Sequence, residues 1–273
     1  MKLKIKKFEE HSNNLRKIIL DVYLKNGGHL STSFSCIEIL VTLHFGGFIK
    51  ISKKNYKSKN RNIFILSKGH AEIAYYSLMH KLGVLSNDIL FNNNKTKKKI
   101  TLGGHVDHKV PGVELTTGSL GHGLGFAAGI SLAKKKNKKK YKQFVLLGDA
   151  ECTEGSIWET ALFASYHKLN NLIAIVDRNN IGALDYLSNF TSIEPLKKKW
   201  ESFGWYVQEV DGHSISSLLK AYDKCKKSNK PNIIIAKTTK GKGIKLLENS
   251  PIWHVKKLED RNDILQAKKE LEK

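Results

Sequence analysis

Arginine is nearly missing from this sequence. Only Arg16, Arg61, Arg178 and Arg261 stand among the 47 basic residues of the 273, so lysine carries a formal net charge of +22. A pI near 9.7 would ordinarily raise a nucleic-acid reading. Specific recognition of phosphates and bases favours the planar guanidinium fork, and that is what the chain lacks. Its lysines gather in runs, "KTKKK" at 95–99, "KKKNKKKYK" at 134–142 and "KKK" at 197–199, almost without interleaved aromatic residues on which bases would stack. A solvated surface accounts for them, with weak attraction for anionic molecules as a side effect. Cysteine is scarce too. Cys36, Cys152 and Cys225 lie far apart with no CxxC pair, which argues against a disulfide framework or a zinc site and for a reducing, cytoplasmic compartment. Long apolar runs are absent: "MKLKIKKFEEHSNNLRKIILDVYLK" mixes charge through its apolar positions, so neither a signal peptide nor a membrane span is expected.

What is present is a core. With 40% hydrophobic residues, 273 positions suit one large α/β domain or two small ones. Five short β-rich runs recur: "NIFILS" at 62–67, "FVLLG" at 144–148, "NLIAIVD" at 171–177, "WYVQEV" at 205–210 and "NIIIAKT" at 232–238. They are nearly continuous in apolar character, as strands buried on both faces are. Helical patterns fall between them. Residues 155–170 place Ile157, Trp158, Ala161, Leu162 and Ser165 on one face, and 214–228 lead in the same way into the last strand. The fold class expected is α/β, a parallel sheet covered by helices on both faces and joined by right-handed crossovers. Residues 92–99 read as a loop and 256–273 as a charged terminal helix, within a single domain spanning 1–273.

In an open parallel sheet, ligands bind beyond the carboxyl ends of the strands. Asp149 follows one run and the pair Asn179-Asn180 follows the next, one strand-helix-strand unit of about thirty residues further on. A carboxylate, an amide oxygen and a nearby backbone carbonyl form a hard oxygen set suited to Mg²⁺. Three such ligands leave an octahedral ion room for two phosphate oxygens and a water. The structural alternative is an Asp that caps the next helix and an Asn pair that marks a turn. Two further acids, Glu151 and Glu154, stand beside Asp149.

The stretch "GDAECTEGSIWETALFASYHKLNNLIAIVDRNN" resembles the thiamine-diphosphate motif GDG…N, and its filling resembles the N-terminal half of transketolases. Other segments agree in order: "NGGHLSTSFSCIEIL" at 26–40, "LSKGHAEIAYYSLM" at 66–79, "GGHVDHKVPGVELTTGSLGHGLGFAAGISLA" at 103–133 and "KTTKGKGIKLLENSPIWH" at 237–254. The likeness covers most of residues 10–255. It implies the thiamine-diphosphate-binding fold, with thiamine diphosphate and Mg²⁺, or another divalent cation such as Ca²⁺ or Mn²⁺, as cofactors. Asp149 and Asn179 are then metal ligands through side chains and Ile181 through its carbonyl, with the Ala150 backbone against the diphosphate. His70 and Gly118 match cofactor contacts. His29 and His105 match histidines that bind substrate hydroxyls or carbonyl, and His254 matches one near both the diphosphate and the reacting centre. Glu154 matches a glutamate at the subunit interface. Glu151 is assigned no role and is expected at the surface, so that Glu151→Ala should do little.

The same resemblance implies ketol transfer: the cofactor's thiazolium carbanion attacks a ketose (phosphate), and the resulting two-carbon unit passes to an aldose (phosphate). The glutamate that activates the cofactor belongs, in the family, to a pyrimidine-binding domain. The expectation is therefore a split enzyme: this chain self-associates through its diphosphate-binding domain, and a separate C-terminal subunit completes a heterotetramer, with no membrane or nucleic acid as partner. Four departures point to a divergent branch, with a specialised sugar or polysaccharide precursor as an alternative substrate. They are Ala150 for the usual glycine, His122 where glutamine is common, one extra residue after Asn179, and Val255 where glycine is frequent. Two alternatives remain: the α-type subunit of a 2-oxo-acid dehydrogenase, and a nucleic-acid-binding protein with a decayed site.

Overall fold

Each of the five apolar runs is a strand: β1 (Ile63–Leu66), β2 (Gln143–Gly148), β3 (Leu172–Arg178), β4 (Tyr206–Asp211) and β5 (Asn232–Lys237). The computed structural model describes residues 2–91, 102 and 104–272. The strands form one sheet in the order β1-β2-β3-β5-β4, and every neighbouring pair is parallel. Successive side chains of a strand point to opposite faces. Phe64, Phe144, Leu146, Ile173, Ile175 and Ile234 enter one core, whereas Ile65, Val145, Leu147, Ala174, Val176 and Ile235 enter another. Two apolar layers explain why the inner strands show no alternation in sequence. Only β4, at an edge, is half exposed along its length.

The first core is closed by α1 (Lys2–Asn26), α2 (Leu30–Ser35), α3 (Ile37–Phe45), α4 (Glu72–Lys81), α5 (Asn87–Phe91), α9 (Ile215–Cys225) and α10 (Arg261–Glu272). The second is closed by α6 (His122–Lys136), α7 (Gly155–Tyr166) and α8 (Leu196–Ser202). The loop expected at 92–99 lies outside the described residues. No helix among the described residues is long and apolar enough to cross a membrane.

One expected helix face is corrected. In α7, Ile157, Ala161 and Ala164 are buried, but Leu162 is 61% exposed. The buried positions follow i, i+4, i+7, and Leu162 falls on the outer side with Phe163 and Tyr166. Phe126 of the adjoining α6 is exposed as well, so these two helices present an apolar outer surface.

Candidate active site

Because the sheet is parallel, all its strands end on one side, and the loops leaving four of them converge there. Lys68 and His70 follow β1, Asp149, Ala150 and Glu151 follow β2, Asn179 and Ile181 follow β3, and Lys240 follows β5; all line one cavity of about 200 Å³. His29 precedes α2, His105 and Gly118 come from the segment between α5 and α6, and His254 closes a short 3₁₀ turn; these four complete the wall. Nine of the ten residues singled out from the sequence thus meet in one place. The tenth, Glu154, is exposed outside it, at the N-cap of α7.

Four imidazoles face one another. Ring centres lie 5.4 Å apart for His29 and His254, 5.5 Å for His70 and His254, 5.9 Å for His29 and His70, and 6.0 Å for His29 and His105. Burial, reinforced by the buried lysines, holds His70 well below the usual histidine range and His254 down at about 3. Burial also lowers His29, with His105 and Lys240 adding to the effect. These three rings are therefore neutral near pH 7, able to donate from one nitrogen and accept at the other. The Nδ1 of His29 is buried and has no hydrogen-bond partner among the described residues, on a ring that lines the cavity. The ring of His105 lies over Gly118, where a Cβ would come within 2.7 Å of it; no other residue type fits beneath that histidine.

The acid end of the cavity is held by backbone. Asp149 Oδ1 accepts from Ala150 N at 2.8 Å, and Oδ2 accepts from Asn179 N at 2.9 Å and Asn180 N at 2.5 Å. Burial, with Asp177 nearby, raises the Asp149 pKa, and a cation would reverse that. Asn180 carries the chain through a left-handed turn at φ 66°, a conformation that asparagine tolerates better than most residues. Ala150 has no positive φ, so its methyl group costs no backbone strain where a glycine is usual. Among the described residues no cluster of three His, Cys, Asp or Glu side chains exists to hold a metal. The available set is instead a carboxylate, an amide oxygen and a carbonyl, the hard donors that Mg²⁺ takes when phosphate oxygens complete its shell.

Two lysines that sequence reasoning passed over dominate the electrostatics. Lys68, 2% exposed, forms a buried ion pair with Asp177. Burial opposes the charge of Asp177, but Lys68 and the hydroxyls of Ser35 and Thr238 outweigh it and keep its pKa low. Lys240, also 2% exposed, has no carboxylate within ion-pair distance among the described residues. Its ammonium donates instead to His254 Nδ1 at 2.7 Å and to the carbonyl of Gly182 at 3.0 Å. Burial, with Lys68 adding repulsion, lowers its pKa to about 7. A buried cation without a counter-ion is costly, and a bound diphosphate would supply that counter-ion.

Glu151 contradicts its expected place at the surface. It is fully buried, and its carboxylate accepts from Ser67 Oγ, from Gly121 N at 2.9 Å and from Gly148 N at 3.1 Å. One side chain thereby ties together the loop after β1, the turn before α6 and the end of β2. Glu72 works similarly: its Oε1 accepts from Gly104 N at 2.9 Å, next to His105, while its Oε2 is buried without a partner among the described residues. Burial pushes the Glu72 pKa up to about 8. The signal available for both was an acid set among small or apolar residues directly after a site loop.

Parallel strands whose carboxyl ends gather an Asp-Asn-carbonyl oxygen set, buried lysines and neutral histidines define an α/β domain for a phosphorylated cofactor. The chain belongs to the transketolase family: the profile of the transketolase thiamine diphosphate binding domain matches residues 9–272. It is 40% identical over 240 residues to an apulose-4-phosphate transketolase subunit of Actinobacillus succinogenes, covering 88% of this chain and 86% of that one. It is 34% identical over 253 residues to the 6-deoxy-6-sulfo-D-fructose transketolase subunit SqwG of a Clostridium species, covering 92% and 91%. The structure superposes on the crystal structure of Campylobacter jejuni transketolase with a TM-score of 0.88 at 33% identity, covering 98% of this chain and 43% of that one.

Proposed function

We propose that this chain is the diphosphate-binding, N-terminal subunit of a split, cytoplasmic transketolase that moves a two-carbon ketol unit from a ketose phosphate to an aldose phosphate. The observation that carries the proposal is the convergence of Asp149, Asn179 and Ile181 with buried Lys240 and four histidines on one cavity. The oxygens would hold Mg²⁺, or Ca²⁺ or Mn²⁺ in its place, against the diphosphate of thiamine diphosphate, with the Ala150 and Gly118 backbones alongside. When bound, that cofactor supplies the nucleophilic carbon and the electron sink for carbon-carbon cleavage. The chain's own part is electrostatic and geometric. Lys240 meets the diphosphate charge, and His29, His105 and His254 donate to substrate oxygens as negative charge develops on them. His70 would contact the cofactor.

A separate subunit bearing the pyrimidine-binding domain is the expected partner. Two relatives that match this chain over most of their own length are named as subunits of transketolases, which supports that arrangement. Exposed Phe126, Leu162 and Tyr166, together with exposed Glu154 at the N-cap of α7, are the surface proposed for self-association. A specialised sugar is favoured over the common pentose phosphates by Ala150, His122 and Val255, and by the unusual sugars in the names of those relatives. The test is ketol transfer by the chain reconstituted with its partner, across a panel of ketose and aldose phosphates. Release of carbon dioxide from a 2-oxo acid would instead favour the dehydrogenase alternative, and a steep salt dependence of nucleic-acid binding the other.

A further inference from the structure

Lys240 sits on a glycine-flanked loop, "TTKGKG", which by itself would be free to move. It is not free: Gly241 N donates to the Ser31 carbonyl at 2.9 Å and Asn249 N to the Lys240 carbonyl at 3.0 Å, and a charge network meets the loop at Thr239 and Lys242. The amide of Thr239 donates to Nε2 of His213 at 2.8 Å. A backbone N–H can only donate, so this Nε2 carries no proton, and Nδ1–H must be the donor to Glu38 Oε2 at 2.9 Å. The other oxygen of Glu38 pairs with Arg16 at 2.7 Å, and Arg16 Nε donates to the carbonyl of Lys242 at 2.9 Å. The relay starts on Thr239 and returns to Lys242, bracketing Lys240 through side chains from α1, α3 and the turn between β4 and α9. Arg16 and Glu38 are 5% and 6% exposed, so their ion pair is shielded from competing water, whereas His213, 18% exposed at the rim, is partly shielded.

We propose that His213, held in one tautomer by Glu38 and Arg16, is a positioning residue that fixes the loop from which Lys240 reaches the cofactor diphosphate. The proposal rests on the functional reading above only for the identity of the ligand; the hold on the loop stands on geometry alone. Without His213 the Thr239 amide loses its acceptor, and the segment 239–242 gains freedom that diphosphate binding must then remove.

The test uses the chain assembled with its partner subunit, and reads two quantities in the wild type, His213→Ala, Lys240→Ala and the double variant. The first is calorimetric affinity for thiamine diphosphate with Mg²⁺. The second is amide hydrogen exchange over residues 238–243. His213→Ala should weaken binding about tenfold, the equivalent of one lost hydrogen bond, and should speed exchange in that segment. In the Lys240→Ala background the same substitution should change affinity by less than about twofold, since its effect runs through Lys240. Glu38→Gln, which keeps the side-chain volume and releases the tautomer, should fall between wild type and His213→Ala and stands in if the alanine variant fails to fold. Equal weakening by His213→Ala in both backgrounds, or unaltered exchange at 238–243, overturns the proposal. If Lys240→Ala leaves cofactor affinity intact, the reading of Lys240 fails instead, and the exchange measurement still decides whether His213 holds the loop.

Discussion

Replacing Glu151 with alanine is the sharpest perturbation the site offers, because it sets surface and keystone roles directly against each other. The carboxylate takes three hydrogen bonds, from Ser67 Oγ and from the amides of Gly121 and Gly148, and the side chain is fully buried. Alanine removes the acceptor that both amides share, while the Ser67 hydroxyl can rotate to seek another. Each orphaned buried donor costs about 1–3 kcal/mol, so losing the acceptor of two amides costs roughly 2–6 kcal/mol, a large part of the ~5–15 kcal/mol that stabilises a typical domain. Glutamine gives a finer test. Its single oxygen can serve Ser67 and Gly121 or else Gly148, and its amide group then confronts the remaining N–H, so one donor stays unpaired at about 1–3 kcal/mol. Urea denaturation of the two variants, with thiamine diphosphate titration of the assembled enzyme, should rank wild type above Glu151→Gln above Glu151→Ala in both measurements. A Glu151→Ala protein within about 0.5 kcal/mol of wild type, the usual range for surface substitutions, would refute the reasoning.

Glu72 predicts a pH dependence. Its pKa of about 8 in the folded state exceeds the ordinary 4.5, so between these values the native state keeps a proton that the unfolded state has released. Its contribution is therefore fully present at low pH and is lost as pH rises toward 8, with a slope of at most about 1.4 kcal/mol per unit. Glu72→Gln, which still accepts from Gly104 N, should remove that slope, and parallel stability-pH curves for the two proteins would contradict the assignment. Asp149→Ala should lower Mg²⁺-dependent thiamine diphosphate affinity on the order of a hundredfold or more, as loss of a buried charged partner does. Retained affinity measured by calorimetry would remove Asp149 from the metal site.

The sheet was legible in the sequence because strands flanked by helices on both faces need apolar residues throughout, and residues 62–67, 144–148, 171–177 and 232–238 satisfy that. The outer face of α7 was not, since Leu162 is apolar yet points away from the core; hydrophobicity records burial in an assembly as readily as in a fold. Asp149 and Asn179 could be placed because a parallel sheet brings consecutive strand ends together. Lys68 and Glu151 could not. Their partners Asp177 and Ser67 lie 109 and 84 residues away, and no local pattern records a contact of that range. Lys240 was hidden among 47 basic residues, where composition masks the one cation that, among the described residues, lies buried without a carboxylate. The relay through His213 spans helices and loops that only the folded chain brings together.

The central claim is that this chain supplies the diphosphate half of a two-subunit ketol-transferring site. The most direct measurement is turnover of ketose and aldose phosphates by the purified chain, by its pyrimidine-domain partner, and by the two together, with thiamine diphosphate and Mg²⁺ present throughout. Activity confined to the mixture, lost on chelation and restored by Mg²⁺, is the predicted result. Tight cofactor binding with ketose turnover by this chain alone would contradict it.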